Sequence, residues 1–143
     1  MGTVKEIDLK LKKGAGAISD VSDLLGANSV HIIAFCTGTE KDKTKLRFVA
    51  NDPEKAVNVL KTAGYNIAVK DVMACEIPRH AGGLNAVLKS LKVAGIPVDY
   101  AYPCIGTGEI SALILGVGSM DKALKAMADN WIRVLGEELY HLQ

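Results

Sequence analysis

Two short glycine-centred stretches hold most of the chemistry available to this chain. Lys13-Gly14-Ala15-Gly16-Ala17-Ile18 and Arg79-His80-Ala81-Gly82-Gly83-Leu84 each stand directly before an apolar pattern of helical period. The first peptide N–H groups of a helix have no partner inside the helix. Together with the positive end of the helix dipole they favour one negative group, so each stretch can hold an anion or a carboxylate. His80 lies in the second stretch, where its ring could hydrogen-bond a ligand or simply sit exposed in the turn. Tyr100 and Tyr102 share one face of an extended run, as a pocket wall with hydroxyls or as cover for an interface.

Other reactive side chains do not converge. His31 and His141 are distant, and no second His or carboxylate stands at metal spacing from either, so no metal site is expected. Cys36 and Cys104 fall near the ends of corresponding extended runs and read as small apolar filler, a redox pair being the alternative. Gly106-Thr107-Gly108 lacks the Lys-Ser/Thr and following helix of a phosphate loop and reads as a hairpin turn. No nucleophile, base and oxyanion donors gather, so the expectation is a protein that is not an enzyme and takes no cofactor.

The elements that must position the glycine stretches follow from periodicity. Residues 5–12 alternate, with Ile7, Leu9 and Leu11 on one face and Glu6, Asp8, Lys10 and Lys12 on the other, a half-buried strand. A helix follows the first glycine stretch, its buried stripe marked by Ile18, Val21 and Leu25, and Asn28-Ser29 ends it. Val30 to Phe35 is a second strand, Gly38 to Lys43 a polar hairpin loop, and Thr44 to Ala50 a third strand with Leu46, Phe48 and Ala50 inward. Asp52-Pro53-Glu54 is a helix start, with Ala56, Leu60 and Ala63 inward and Gly64 as the stop. Tyr65 to Lys70 is a fourth strand, continuing as extended chain to Pro78. The order is βαββαβ.

That pattern recurs. At a shift of 66, Ile7, Leu9 and Leu11 fall on Met73, Cys75 and Ile77, and Gly16, Ile18, Val21 and Leu25 on Gly82, Leu84, Val87 and Leu91. At a shift of 67, Leu46, Phe48 and Ala50 meet Leu113, Leu115 and Val117, while Ala56 and Leu60 meet Ala123 and Met127. The slip lies in the loops 36–43 and 102–110, where a change of length costs little. In the second helix Leu84, Val87, Leu88 and Leu91 mark the buried face, and Gly95 closes it. The fold class is therefore α+β: two ferredoxin-like βαββαβ repeats, residues 1–70 and 71–143, with antiparallel sheets and the helices on one face. With no linker between them, the halves are expected to pack as one body with sheets joined edge to edge. Gly136 to Gln143 reads as a short terminal helix.

Bulk numbers narrow the function. The 143 residues carry a formal charge of +1, which argues against nucleic acid or a membrane surface as partner. Residues 1–70 hold 11 basic and 8 acidic side chains, and residues 71–143 hold 6 and 8, so Lys10, Lys12, Lys13 and the Lys41–Arg47 group make the first half locally basic. That basic surface reads as a solvated face. No apolar run reaches 18 residues, the N-terminus has no signal-peptide core, and three unpaired cysteines fit a reducing cytoplasm. Val72, Ala74 and Ile114 replace polar residues of the first repeat, so the outer sheet face of the second repeat is the greasier one and a candidate homodimer contact.

GAGAISDVSDLL (14–25), NDPEKAVNVLKTAGY (51–65), AGGLNAVLKSLKVAGIPVDYAY (81–102) and SMDKALKAM (119–127) within a duplicated βαββαβ resemble the ACT domain. More closely, the chain is similar to small stand-alone tandem-ACT proteins, and the resemblance covers both halves. It implies a non-catalytic regulatory or sensor module that binds a small carboxylate metabolite, chiefly an amino acid, between its repeats. The donors implied are amides around Gly16, Ala17 and Ile18, and around Gly82, Gly83 and Leu84, with Gly14, Ala15, His80 and Ala81 completing the ligand-binding turns. Ile33 and Phe35 in one half, and Tyr100 and Tyr102 in the other, would face the ligand. The family's turn tends to read Asp/Asn-x-Pro-Gly-x-Leu, whereas Lys13 and Arg79 here take the acid or amide position and Ala15 and Ala81 the proline's. Lys and Arg accept no hydrogen bond from an ammonium. Either these side chains turn to solvent, or the ligand carries more negative charge than a neutral amino acid. The alternative is a protein-interaction subunit that docks an enzyme or a transcription factor without a small ligand.

Overall fold

The computed structural model describes residues 2–142, which form two compact units: Lys5–Lys70, and residues 2–4 with 71–142. Both follow the expected α+β plan. The chain runs β1 (Val4–Lys12), α1 (Ala15–Ala27), β2 (Ile32–Glu40), β3 (Lys43–Ala50), α2 (Pro53–Thr62) and β4 (Ile67–Glu76), one continuous strand across the boundary. It continues as α3 (Gly83–Val93), β5 (Val98–Pro103), β6 (Ala112–Val117), α4 (Met120–Asp129) and the two-residue β7 (Val134–Leu135), then a 3₁₀ turn, Glu137–His141.

In the first unit β3 lies between β1 and β2, antiparallel to both, with Ile7 opposite Phe48, Leu9 opposite Leu46 and Phe35 opposite Phe48. Directly opposed residues share a sheet face. Ile7, Leu9, Leu46 and Phe48 therefore point to one side, where they form a single buried cluster with Val21 and Leu25 of α1 and Ala56 and Leu60 of α2. In the second unit β6 lies between β5 and β4, and β7 adds to the other edge of β4. Met73, Cys75, Leu113 and Leu115 meet Val87 and Leu91 of α3 and Ala123 and Met127 of α4. Helices thus sit on one face of each sheet.

The α2 start is built as the sequence reads. Asp52 accepts a hydrogen bond from Lys55 N at 3.1 Å, and Pro53 occupies the first helical position. At the other end Gly64, at φ +90°, lets Tyr65 N reach Leu60 O at 3.0 Å, closing the helix's last carbonyls.

Several expectations are corrected. Ala63 is exposed, because it is the C-cap residue beyond the last buried turn. The loop expected over Gly38 to Lys43 shrinks to Lys41-Asp42, because the ladder continues to the Glu40–Lys43 pair and Lys41 takes φ +58°, as a two-residue hairpin requires. Leu84 and Leu88 are 48% and 38% exposed, and the buried α3 face is instead Gly83, Val87, Ser90 and Leu91. Conversely, the tight hairpin expected at Gly106-Thr107-Gly108 is an eight-residue connection, in which Thr107 Oγ1 donates to Ile110 O at 2.5 Å. Glu6 and Asp8, expected on a wet face, are buried. Val72, Ala74 and Ile114 are at most 1% exposed within the chain, as are Leu135 and Leu139, so this greasy face is interior and is not a homodimer surface.

Phe48 is wholly buried at the centre of the first core. Phe48→Ala should lower stability by about 3–5 kcal/mol, against about 1 kcal/mol for loss of the Asp52 cap in Asp52→Ala. Urea denaturation of the full chain reads both.

Candidate functional site

The helix starts after the two glycine stretches differ from the other two helix starts in one consistent respect. Both α2 and α4 carry an acid in the first turn, Glu54 and Asp121, and α2 has the Asp52 cap. Neither α1 nor α3 has an acid in its first turn or a side-chain cap. At these two positions the sequence supplies no negative group of its own to the helix's positive end.

The first stretch is open. Gly14 caps α1 at φ +118°, a conformation that only glycine adopts easily, and has no atoms near a would-be Cβ. Ala15 and Gly16 are exposed, Ala17 and Ile18 half-buried, and a Cβ added at Gly16 would meet nothing within 4 Å.

The second stretch is largely satisfied by its own surroundings. Gly83 N donates to His80 O at 2.9 Å, which corrects the expectation that this amide is available to a ligand. Gly83 is also pressed against the chain before it: a Cβ there would lie 1.9 Å from Pro78 O. Gly82 takes φ +85° to make the bend, and its carbonyl receives Ala86 N. The His80 ring lies against its neighbour, Nδ1 at 2.8 Å from Ala81 O. Arg79 is exposed, and its Nη2 donates to Glu109 O at 2.5 Å in the β5–β6 connection. Ala81 is exposed, and Leu84 presents its side chain outward at the start of α3.

The residues expected to face the ligand are not equivalent. Phe35 pairs with Phe48 and so belongs to the helix-side face of its sheet, at an edge that leaves it 44% exposed. Ile33 sits at a register shift in β2 and is wholly buried. Tyr102 pairs with Ile114, which alternates with the core residues Leu113 and Leu115, and so belongs to the face away from the helices. Tyr100 shares that face. Its ring lies over Gly116, where an added Cβ would come within 2.3 Å of it, and stacks with Tyr102 at 6.3 Å between centroids. The one-residue slip between repeats that sequence comparison places in the loops explains the mismatch, since a one-residue offset exchanges the two faces of a strand.

The sequence missed a relationship between cysteines. Burial pushes the Cys75 and Cys104 thiols up to about 12, and the Cys104 charge adds to the effect at Cys75. Burial also raises Cys36, although Arg47 opposes it. Leu113 separates Cys75 from Pro103 in the register, so Cys75 and Cys104 stand about two strand spacings apart, roughly 10 Å, beyond disulfide reach. Among the described residues no three His, Cys, Asp or Glu side chains gather as a metal site, and no helix is long and apolar enough to cross a membrane.

The thiols give a pH signature. Their folded values lie above the ordinary 9.0, so the stability they contribute is complete below pH 9 and is lost as pH rises toward 12. Urea midpoints measured from pH 8 to 11 should fall, with a shallower fall in Cys75→Ala; native protein at pH 8 should resist thiol labelling at Cys75 and Cys104.

The profile of the ACT domain pair family matches residues 2–141. A Bacteroides thetaiotaomicron protein of known structure superposes with a TM-score of 0.87 at 24% identity, covering 98% of this chain and 97% of that one. The ligand-free regulatory subunit of aspartate kinase from Thermus thermophilus gives 0.61 at 10% identity, over 90% of this chain and 93% of that one. The corresponding subunit from Thermus flavus gives 0.57 at 12% identity, over 89% and 92%. No curated protein matches in sequence.

Proposed function

Because the chain belongs to the ACT domain pair family, we propose that it is a non-catalytic regulatory module that binds a small carboxylate metabolite, foremost an amino acid, at a glycine-turn helix start. The observation that carries this reading is the selective absence of negative groups at the starts of α1 and α3. The open α1 start is the stronger site, with the amides of Gly16, Ala17 and Ile18 as donors and Lys13 free to meet a second negative charge. Binding would favour one arrangement of the protein over another, which lets a sensor act without chemistry of its own. The likeness to aspartate kinase regulatory subunits supports an enzyme as the regulated partner, a transcription factor being the other class.

Isothermal titration against the twenty amino acids and small dicarboxylates tests the proposal. A Gly16→Glu variant sharpens it, since the site has room for the side chain and an acid in the first turn stabilises a helix by about 0.3–1 kcal/mol. The variant should keep or raise Tm while its own carboxylate excludes the ligand. No heat from any ligand with wild-type protein, or unchanged binding in Gly16→Glu, would remove the site.

One observation favours a second reading, a protein-interaction subunit. Leu84 and Leu88, one helical turn apart on α3, are both exposed, and Val93 is 78% exposed beyond them. Sedimentation velocity distinguishes the occupants: a wild-type dimer dissolved by Leu88→Glu assigns this face to a homodimer, whereas a monomer leaves it for an enzyme or transcription factor.

A further inference from the structure

The face of the first sheet turned away from its helices carries charges arranged against the stability of the fold. Across β1 and β3, Asp8 is opposite Arg47, Lys10 opposite Lys45, and Lys12 opposite Lys43. Directly opposed residues point to the same side with Cβ atoms about 5 Å apart, and like charges so placed repel. Two successive rows of this sheet are thus lysine facing lysine. On β2 the same rows continue through Cys36, Gly38 and Glu40. Gly38 places no side chain beside the Lys10–Lys45 row, and a Cβ there would meet nothing within 4 Å. The surface above that row is open.

The acids on this face offset the rows only in part, with Glu40 also directly opposite Lys43. Glu40 lies 3.5 Å from Lys10 across exposed surface. Asp8 is 5% exposed and gathers Lys70 at 3.0 Å, Lys45 at 3.9 Å and Arg47 at 4.0 Å. Its Oδ1 is buried and accepts no hydrogen bond among the described residues. Glu6 is buried at the far end of the strand. Lys10, Lys12, Lys43, Lys45, Arg47 and Lys70 therefore stand against Glu6, Asp8 and Glu40, in a protein whose total charge is only +1.

We propose that this face is a second binding site, independent of the glycine turns, for a compact multivalent anion of the phosphate class, held above Gly38 by Lys10, Lys12, Lys43 and Lys45. Successive rows are about 7 Å apart and adjacent strands about 5 Å apart, the scale of a few linked phosphate groups. The face has no aromatic side chain on which a base could stack, which favours the phosphate groups themselves over single-stranded nucleic acid. Asp8, in the row next to Lys10 and Lys45, holds Lys45 and Lys70 at the edge of the patch.

The test uses the full chain and inorganic tripolyphosphate, by isothermal titration at low and at physiological salt. Wild-type protein should bind, more weakly as salt rises. Lys12→Glu turns one repulsive row into an opposite-charge pair, so it should raise Tm while weakening binding by about tenfold. Lys122→Glu, at an exposed position of α4, makes the same change in net charge and should leave affinity within about twofold. No binding by wild type, equal losses in Lys12→Glu and Lys122→Glu, or citrate binding as tightly as tripolyphosphate would each overturn the assignment.

Discussion

A helix start leaves peptide N–H groups that its own carbonyls cannot reach, and the four helices here meet that constraint in two ways. At α2 and α4 the sequence supplies acids, and at α2 a side-chain oxygen closes the first turn at 3.1 Å. At α1 and α3 it supplies glycine and alanine, with no acid and no cap. This division gives a common fold a directional chemistry, because an unmet positive helix end selects for a negative group.

The two open starts have nevertheless diverged. In the second, a local hydrogen bond uses the Gly83 amide, Pro78 O leaves no room for a Cβ, and Arg79 is tied to the carbonyl of Glu109 thirty residues away. In the first, Gly14 bends the chain without packing against anything and Gly16 faces open space. Duplication gave the chain two copies of one geometry, and the longer β5–β6 connection of the second repeat, which ends on Ser111, supplies the partner that Arg79 reaches. An arginine and a lysine at matching positions thus do different work.

The sheets show a second tension, between alternation and charge. Alternation assigns Ile7, Leu9, Leu46 and Phe48 to the helix side without ambiguity. The opposite face differs between the repeats. In the second repeat it is apolar and buried at Ala74, Ile114 and Leu135, and in the first it carries buried acids and facing lysines. Burying a carboxylate such as Asp8 is costly unless cations surround it, and three do. That local requirement explains the approach of Lys45, Arg47 and Lys70. It does not explain Lys12 opposite Lys43.

The sequence alone determined the duplication, the βαββαβ order, the helix-side cores and the position of both glycine bends, because each rests on local rules: period 2 for strands, period 3.6 for helices, and Gly, Asp and Pro at helix ends. Tertiary structure alone decided which apolar residues the core accepted, so that Val87 and Leu91 went inside while Leu84 and Leu88 stayed out. It also decided that Phe35 lies on the helix side of its own sheet and Tyr102 on the side of its own sheet away from the helices, since one residue of register inverts a strand's faces. Arg79 found its acceptor in a loop that no local pattern connects to it, and Lys12 met Lys43 only when two strands paired. Such facts depend on contacts between residues distant in the chain, and periodicity along one segment carries no information about what lies across from it.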